Sequence, residues 1–220
     1  MKILVIGEED SFTECKSRFG ESHEYMRTDS HLEARKSFGQ VSVVFDFLID
    51  EDPSQFQLFS GFRVPVFLNT IKSSLAGLLD REAIDSKRFF GFNGLPSFVN
   101  RPAFEVTLAD KAHVSALQPI CGQLGTSFEI VEDSPGMVTP RIVCMIINEA
   151  YCAIEDGTAT AENIDIAMKL GTNYPFGPIE WSKKIGLKNV VDVLDAVYRH
   201  TSSERYLVSE LLRDEARREI

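Results

Sequence analysis

Near its start the chain runs Lys2-Ile3-Leu4-Val5-Ile6 into Gly7, then Glu8-Glu9-Asp10-Ser11-Phe12. An apolar strand that closes in a glycine and opens a helix can receive a phosphate on helix N-terminal amides, provided the turn backbone can approach it. Here only the first of the three positions that such a turn keeps as glycine is glycine. Three carboxylates stand where a dianion would sit. One like-charge pair at about 4 Å could cost up to about 4 kcal/mol at an effective dielectric near 20. The same acids are also ordinary dipole partners in a first helical turn. Asp29, roughly 20 residues on, stands where a ribose-binding acid is expected, although an aspartate at a strand end is common without a ligand.

Farther along, Asn93 and Glu105 place an amide and a carboxylate at the end of the expected sheet. Together they could polarise a thioester carbonyl, but no nucleophile accompanies them. His23, His31, His113 and His200 lie beside strands or in helices and read as surface or cap residues. Cys15, Cys121, Cys144 and Cys152 have no Cys-x-x-Cys spacing. No metal site is therefore expected, and the thiols read as free in a cytoplasmic protein.

The elements that position these residues change character along the chain. Strands are expected at Lys2–Ile6, His23–Thr28, Val41–Ile49, Val64–Leu68, Arg88–Phe92, Glu105–Leu108 and Phe128–Val131. Between them helices are expected at Ser11–Phe19, His31–Phe38 and Ala109–Leu124. Strand alternating with helix argues for a mostly parallel, doubly wound sheet. Beyond Ser134-Pro135-Gly136 every pattern is helical. Ile142, Met145, Ile146, Glu149 and Cys152 form one stripe of a first helix. Thr160 caps a second, which Gly171 should stop, and Gly177-Pro178 opens a third that ends at Gly186. Val190 to Tyr198 and Ser209–Arg218 complete the set. An α/β domain over residues 1–133 and an all-α domain over 134–220 result.

Composition narrows the partners. The 220 residues carry 23 Lys+Arg and 33 Asp+Glu, a net charge of -10. Such a surface repels a phosphate backbone, and no run of basic residues offsets it, so nucleic acid is not an expected partner. No apolar run approaches the roughly 20 residues of a membrane span. The first helix of the all-α domain is apolar around most of its surface. A helix of that kind is buried on most sides, and a second copy of the chain can cover one of them, which predicts a homodimer through the C-terminal helices.

Several motifs occur in a fixed order: Ser134-Pro135-Gly136, Asn148-Glu149-Ala150, Asp156-Gly157-Thr158-Ala159, Ile164 through Gly171, and Tyr174-Pro175-Phe176-Gly177-Pro178. Arg205-Tyr206, Ser209 and Leu211-Leu212-Arg213 follow. This string resembles the helical C-terminal domain of the 3-hydroxyacyl-CoA dehydrogenases. Asn69-Thr70, Arg88-Phe89-Phe90-Gly91 and Glu105-Val106 resemble the second half of that family's Rossmann-like nucleotide-binding domain. Residues 1–40 match it only in outline, being shorter.

The resemblance implies oxidation of the 3-hydroxyl of an acyl-CoA with NAD, by a histidine base oriented by a glutamate, with a serine and an asparagine on the substrate oxygen. It assigns Gly7 and Asp29 to the cofactor. The histidine motif reads Gly91-Phe92-Asn93-Gly94-Leu95-Pro96, so Asn93 replaces the base, and an asparagine has no useful pKa near neutrality. Glu105 keeps the orienting position, as a leftover, a new acid or a partner of Arg101. With a two-residue insertion Ser73 and Ser74 fill the serine positions; without one, Ile71 and Lys72 replace them, and the serines are helix caps. Pro140 stands for the substrate-binding asparagine and has no N–H to donate. The expectation is a catalytically degenerate, dimeric relative that binds an acyl-CoA or a partner enzyme. An active NAD-dependent dehydrogenase and an enzyme of different chemistry at Asn93 and Glu105 are the alternatives.

Overall fold

The structure is a computed structural model, described for residues 1–80 and 86–219. It divides into two compact units, Met1–Met137 and Val138–Ile220. The first holds strands β1 (Lys2–Ile6), β2 (Glu24–Thr28), β3 (Val43–Asp46), β4 (Val66–Asn69), β5 (Phe89–Phe92), β6 (Glu105–Thr107) and β7 (Glu129–Val131). They form one sheet in the order β2-β1-β3-β4-β5-β6-β7. Every neighbouring pair is parallel except β5 with β6. The mostly parallel sheet expected from the alternating pattern is therefore present, with β1 in its interior.

The strands form where both faces are apolar. All four residues of β3, β4 and β5 are buried, whereas the edge strand β2 exposes Glu24 and Arg27. One face packs Val5, Phe45, Phe67, Phe90 and Phe92 onto Cys15 and Phe19 of α1 (Glu9–Phe19) and Leu117 and Leu124 of α4 (Val114–Leu124). The other packs Ile6, Val44, Leu68 and Phe89 onto Ala34 of α2 (His31–Ser37) and Leu75 and Leu78 of α3 (Leu75–Leu79). The stack of Phe45 on Phe67, centroids 4.6 Å apart, joins the two central strands. Such a pair contributes about 0.5–1.5 kcal/mol beyond its buried area.

The Val41–Ile49 run is a shorter strand than expected, because the Asp46 carboxylate accepts the Leu48 amide at 2.9 Å. That side-chain turn ends the ladder. Helix α1 starts two residues early, at Glu9, and Lys111–His113 forms a tight 3-10 turn ahead of α4. The short helix α3 was not expected.

The second unit is α5 (Thr139–Glu155), α6 (Ala161–Thr172), α7 (Pro178–Ile185), α8 (Leu187–Thr201) and α9 (Glu210–Arg218). Its core is Val143, Cys144, Ile147 and Tyr151 of α5, Trp181 and Ile185 of α7, Val190, Leu194 and Val197 of α8, and Leu212 of α9. Asn148 ties the tail to α5: its Nδ2 donates to the Leu207 carbonyl and its Oδ1 accepts the Ser209 amide, both at 2.9 Å. Gly171 does not stop α6. The helix runs on to Thr172, and Asn173 supplies the left-handed residue at φ 55°, a conformation asparagine tolerates.

Candidate functional site

Strand order reverses between β1 and β3, and a doubly wound sheet binds ligands outside the carboxyl ends of its strands at such a point. Gly7 sits there as expected, but its surroundings are filled. A Cβ at Gly7 would lie 3.1 Å from the Phe47 Cβ and 3.2 Å from the Ser11 Cβ. Arg27 donates to the Gly7 carbonyl at 3.1 Å and pairs with Glu9 at 3.1 Å. Phe12, at the third glycine position, packs edge-on against Tyr25. Glu14 accepts the amides of Ser97 and Val99 at 2.5 and 3.1 Å. Burial raises its carboxyl pKa, and those amides pull it back. The cavity left beside the turn has a volume of 80 Å³ and is lined by Glu8, Asp10, Ser11, Glu14, Phe47 and Gly94 to Pro96.

Pockets for ligands of drug size usually hold about 300–1,000 Å³. A dinucleotide does not fit this one, and the three carboxylates lining it oppose its charge. Asp29 follows β2 as expected but is exposed and does not line the cavity.

The carboxyl ends of the central strands carry a buried polar layer: Asp46, Asn69, Thr70, Asn93, Glu105 and Thr107. Asn69 donates to the Phe47 carbonyl at 3.3 Å and accepts the Gly94 amide at 3.0 Å. Gly94 must be glycine here, since a Cβ would sit 2.8 Å from the Asn69 Cγ. Asn93 accepts the Leu95 amide at 3.3 Å. The antiparallel register pairs Gly91 with Thr107 and Phe92 with Val106; Asn93 directly follows β5, and Glu105 opens β6. Both residues are buried.

Ser73 is engaged elsewhere. Its hydroxyl donates to Asp50 at 2.6 Å, and the Lys72 amide donates to the same carboxylate at 2.9 Å. Burial pushes the Asp50 pKa up to about 6, against the pull of those bonds. Ser74 caps α3 by accepting the Gly77 amide at 3.1 Å, and Asp133 takes the Leu75 and Ala76 amides at 2.8 Å each. Pro140 is buried in the first turn of α5.

One histidine departs from the surface-or-cap reading, while His113 stands at the N-cap position of α4. His31 is buried and its Nε2 lies 2.8 Å from Asp46, whose carboxyl pKa is raised by burial and lowered by that imidazole. His113 is also buried. The signal for the His31 pair was Asp46 itself, one acid inside a run of apolar residues. The cysteines are free. Among the described residues no group of His, Cys, Asp and Glu is placed to hold a metal ion, and no helix is long and apolar enough to cross a membrane.

In the helical unit the expected stripe of α5 faces outward. Ile142, Met145 and Ile146 line an apolar groove of 530 Å³ with Ile164 and Met168 of α6, and Arg141, Glu149 and Arg205 also line it. The core instead uses the opposite face, Val143, Cys144, Ile147 and Tyr151. Helix α5 is apolar on two sides.

Residues 136–218 match the family model of the 3-hydroxyacyl-CoA dehydrogenase C-terminal domain. The helical unit therefore carries the sequence of that family's C-terminal domain. Among curated family members, a 3-hydroxyadipyl-CoA dehydrogenase of Escherichia coli is 42% identical over 94 residues, 43% of this chain and 20% of that protein. A 3-hydroxybutyryl-CoA dehydrogenase of Clostridioides difficile is 42% identical over 82 residues, 37% of this chain and 29% of that protein. The matches therefore span less than a third of these dehydrogenases. The fold extends farther: the (S)-3-hydroxybutyryl-CoA dehydrogenase of Ralstonia eutropha superposes on 99% of this chain and 94% of its own, with a TM-score of 0.72 and 21% identity.

Proposed function

We propose that this chain is a 3-hydroxyacyl-CoA dehydrogenase relative that has lost the oxidoreductase step and acts as a dimeric, cytoplasmic acyl-CoA-binding or partner-binding protein. The observation that carries this reading is the nucleotide turn: Phe47 and the Glu14 clasp border a cavity of only 80 Å³ beside it, and Phe12, packed on Tyr25, fills the third glycine position. Asn93 at the family histidine's position supports it independently, because an amide cannot take the hydroxyl proton. Pro140 in place of the family asparagine points the same way. Titration of the purified chain with NADH and with acetoacetyl-CoA tests the proposal. CoA-ester binding without NADH binding is the expected result. Saturable micromolar NADH binding with substrate-dependent oxidation would show an active dehydrogenase instead.

The dimer rests on the second apolar face of α5. Ile142 is 55% exposed and Leu170 of α6 is 83% exposed. A second copy seated in this groove would bury on the order of 2,000 Å² or more in total, as obligate dimers do. Sedimentation at low micromolar concentration should give a dimer that Met145→Asp or Ile146→Asp splits. A monomer unaffected by either change would remove the dimer from the proposal.

A further inference from the structure

The sheet holds two buried hydroxyls that its hydrogen-bond pattern does not use. Thr70 directly follows β4 and Thr107 ends β6, and they are 1% and 0% exposed. Among the described residues neither Oγ1 has a hydrogen-bond partner. Unpaired buried hydroxyls are rare in folded proteins, because each has given up its bonds to water.

The strand between them explains where both point. Gly91 of β5 pairs with Thr107 on one side, and its neighbour on the other side is β4. A Cβ built on Gly91 would lie 2.2 Å from the Thr107 Oγ1 and 2.4 Å from the Thr70 Oγ1. Both hydroxyls therefore face the one position where β5 has no side chain. The two oxygens are separated by no more than the sum of those distances. One water bridges a gap of that size with two ordinary O–H···O bonds of about 2.7–2.8 Å. Water is also the small ligand that can donate to one hydroxyl and accept from the other, as buried waters commonly do between polar groups without partners.

We propose that the Thr70–Gly91–Thr107 cradle is a binding site for a single internal water, which joins β4 to β6 across β5. The bridge lies two residues along β6 from Glu105, on the same face of that strand, and it holds β4 and β6 together there. The inference rests on the sheet unit alone and is independent of whether the chain binds a nucleotide or an acyl-CoA.

Electron density of the unaltered protein, at a resolution that shows ordered water, tests this directly. One peak within hydrogen-bond distance of both Oγ1 atoms is expected. Thermal unfolding of Thr70→Val, Thr107→Val and the double variant tests it energetically. With a shared water, each single change lowers Tm, and the double change lowers it by less than the two singles combined. If the hydroxyls are simply unpaired, each valine leaves Tm unchanged or raises it, and the effects add. That result, or density showing no water between the two threonines, overturns the proposal. Should the valine variants fail to fold, the density decides alone.

Discussion

The Glu14 carboxylate holds the backbone amides of Ser97 and Val99, so helix α1 is tied to the loop that follows β5. The two segments are 83 and 85 residues apart in sequence for those bonds. Both segments line the small cavity beside the Gly7 turn. Glu14→Ala leaves two partly buried amides without their acceptor, which costs about 1–3 kcal/mol each before relaxation. Thermal unfolding should show a clear drop in Tm. Glu14→Gln keeps one acceptor oxygen and should fall between. An alanine variant as stable as the parent would mean the clasp contributes nothing.

Removing charge from the nucleotide turn should not create a cofactor site. The double variant Glu8→Ala, Glu9→Ala relieves repulsion but leaves Phe12 against Tyr25 and Phe47 against Gly7. Isothermal titration with NADH should therefore give no saturable heat at micromolar concentration. Tight binding by this variant would show that charge alone had been the obstacle.

These features were unequally legible in the sequence. The unbroken apolar run of β1 and the alternation of strands with helices were enough for the sheet, because both record burial. The groove-facing and core-facing sides of α5 were not separable, since Ile142 and Ile147 are equally apolar and only packing distinguishes them. Glycine at 171 suggested a helix stop, yet Asn173 two residues on meets the same backbone demand. At the site, Asn93 and Glu105 could be named from motif order, because each stands at a fixed place in a recurring string of residues. The contacts of Glu14, Asp50 and His31 could not, because side chains that reach across loops leave no periodic trace.

Asp50 should make stability fall as pH rises in mild acid. Its carboxyl ionises near 3.8 when free and near about 6 in the fold, raised mainly by burial. Below 3.8 both folded and unfolded chains keep the proton. Between those values the unfolded chain releases it first, so the unfolded state gains. At 1.36 kcal/mol per unit, the loss over this range is about 3 kcal/mol. Other carboxyls titrate over the same range, so the informative measurement is the difference between the parent and Asp50→Asn in urea unfolding at a series of pH values. The asparagine variant should lack this component of the slope. Parallel curves from pH 4 to 7 would contradict the assignment.

In the helical unit, Asp165 and Gly177 form a pair that neither residue can leave alone. The Asp165 carboxylate accepts the Ile179 and Glu180 amides at 2.8 and 3.0 Å, capping α7 from the middle of α6. It can do so because Gly177 has no side chain: a Cβ there would lie 2.2 Å from Asp165 Oδ1. Asp165→Ala should cost about 1–2 kcal/mol, the usual value of a lost cap. Gly177→Ala should cost about 1–3 kcal/mol by overpacking, and more if the carboxylate is driven off its amides. The two changes share one contact, so their effects should not add. Asp165→Gly removes the Cβ that would lie 2.4 Å from the added methyl as well as the carboxylate, so in that background the added cost of Gly177→Ala should shrink by at least about 0.5 kcal/mol. A double-mutant cycle by urea unfolding reads this coupling. Strict additivity would mean that the close approach is relieved elsewhere, and that Gly177 serves α7 only as an ordinary cap residue.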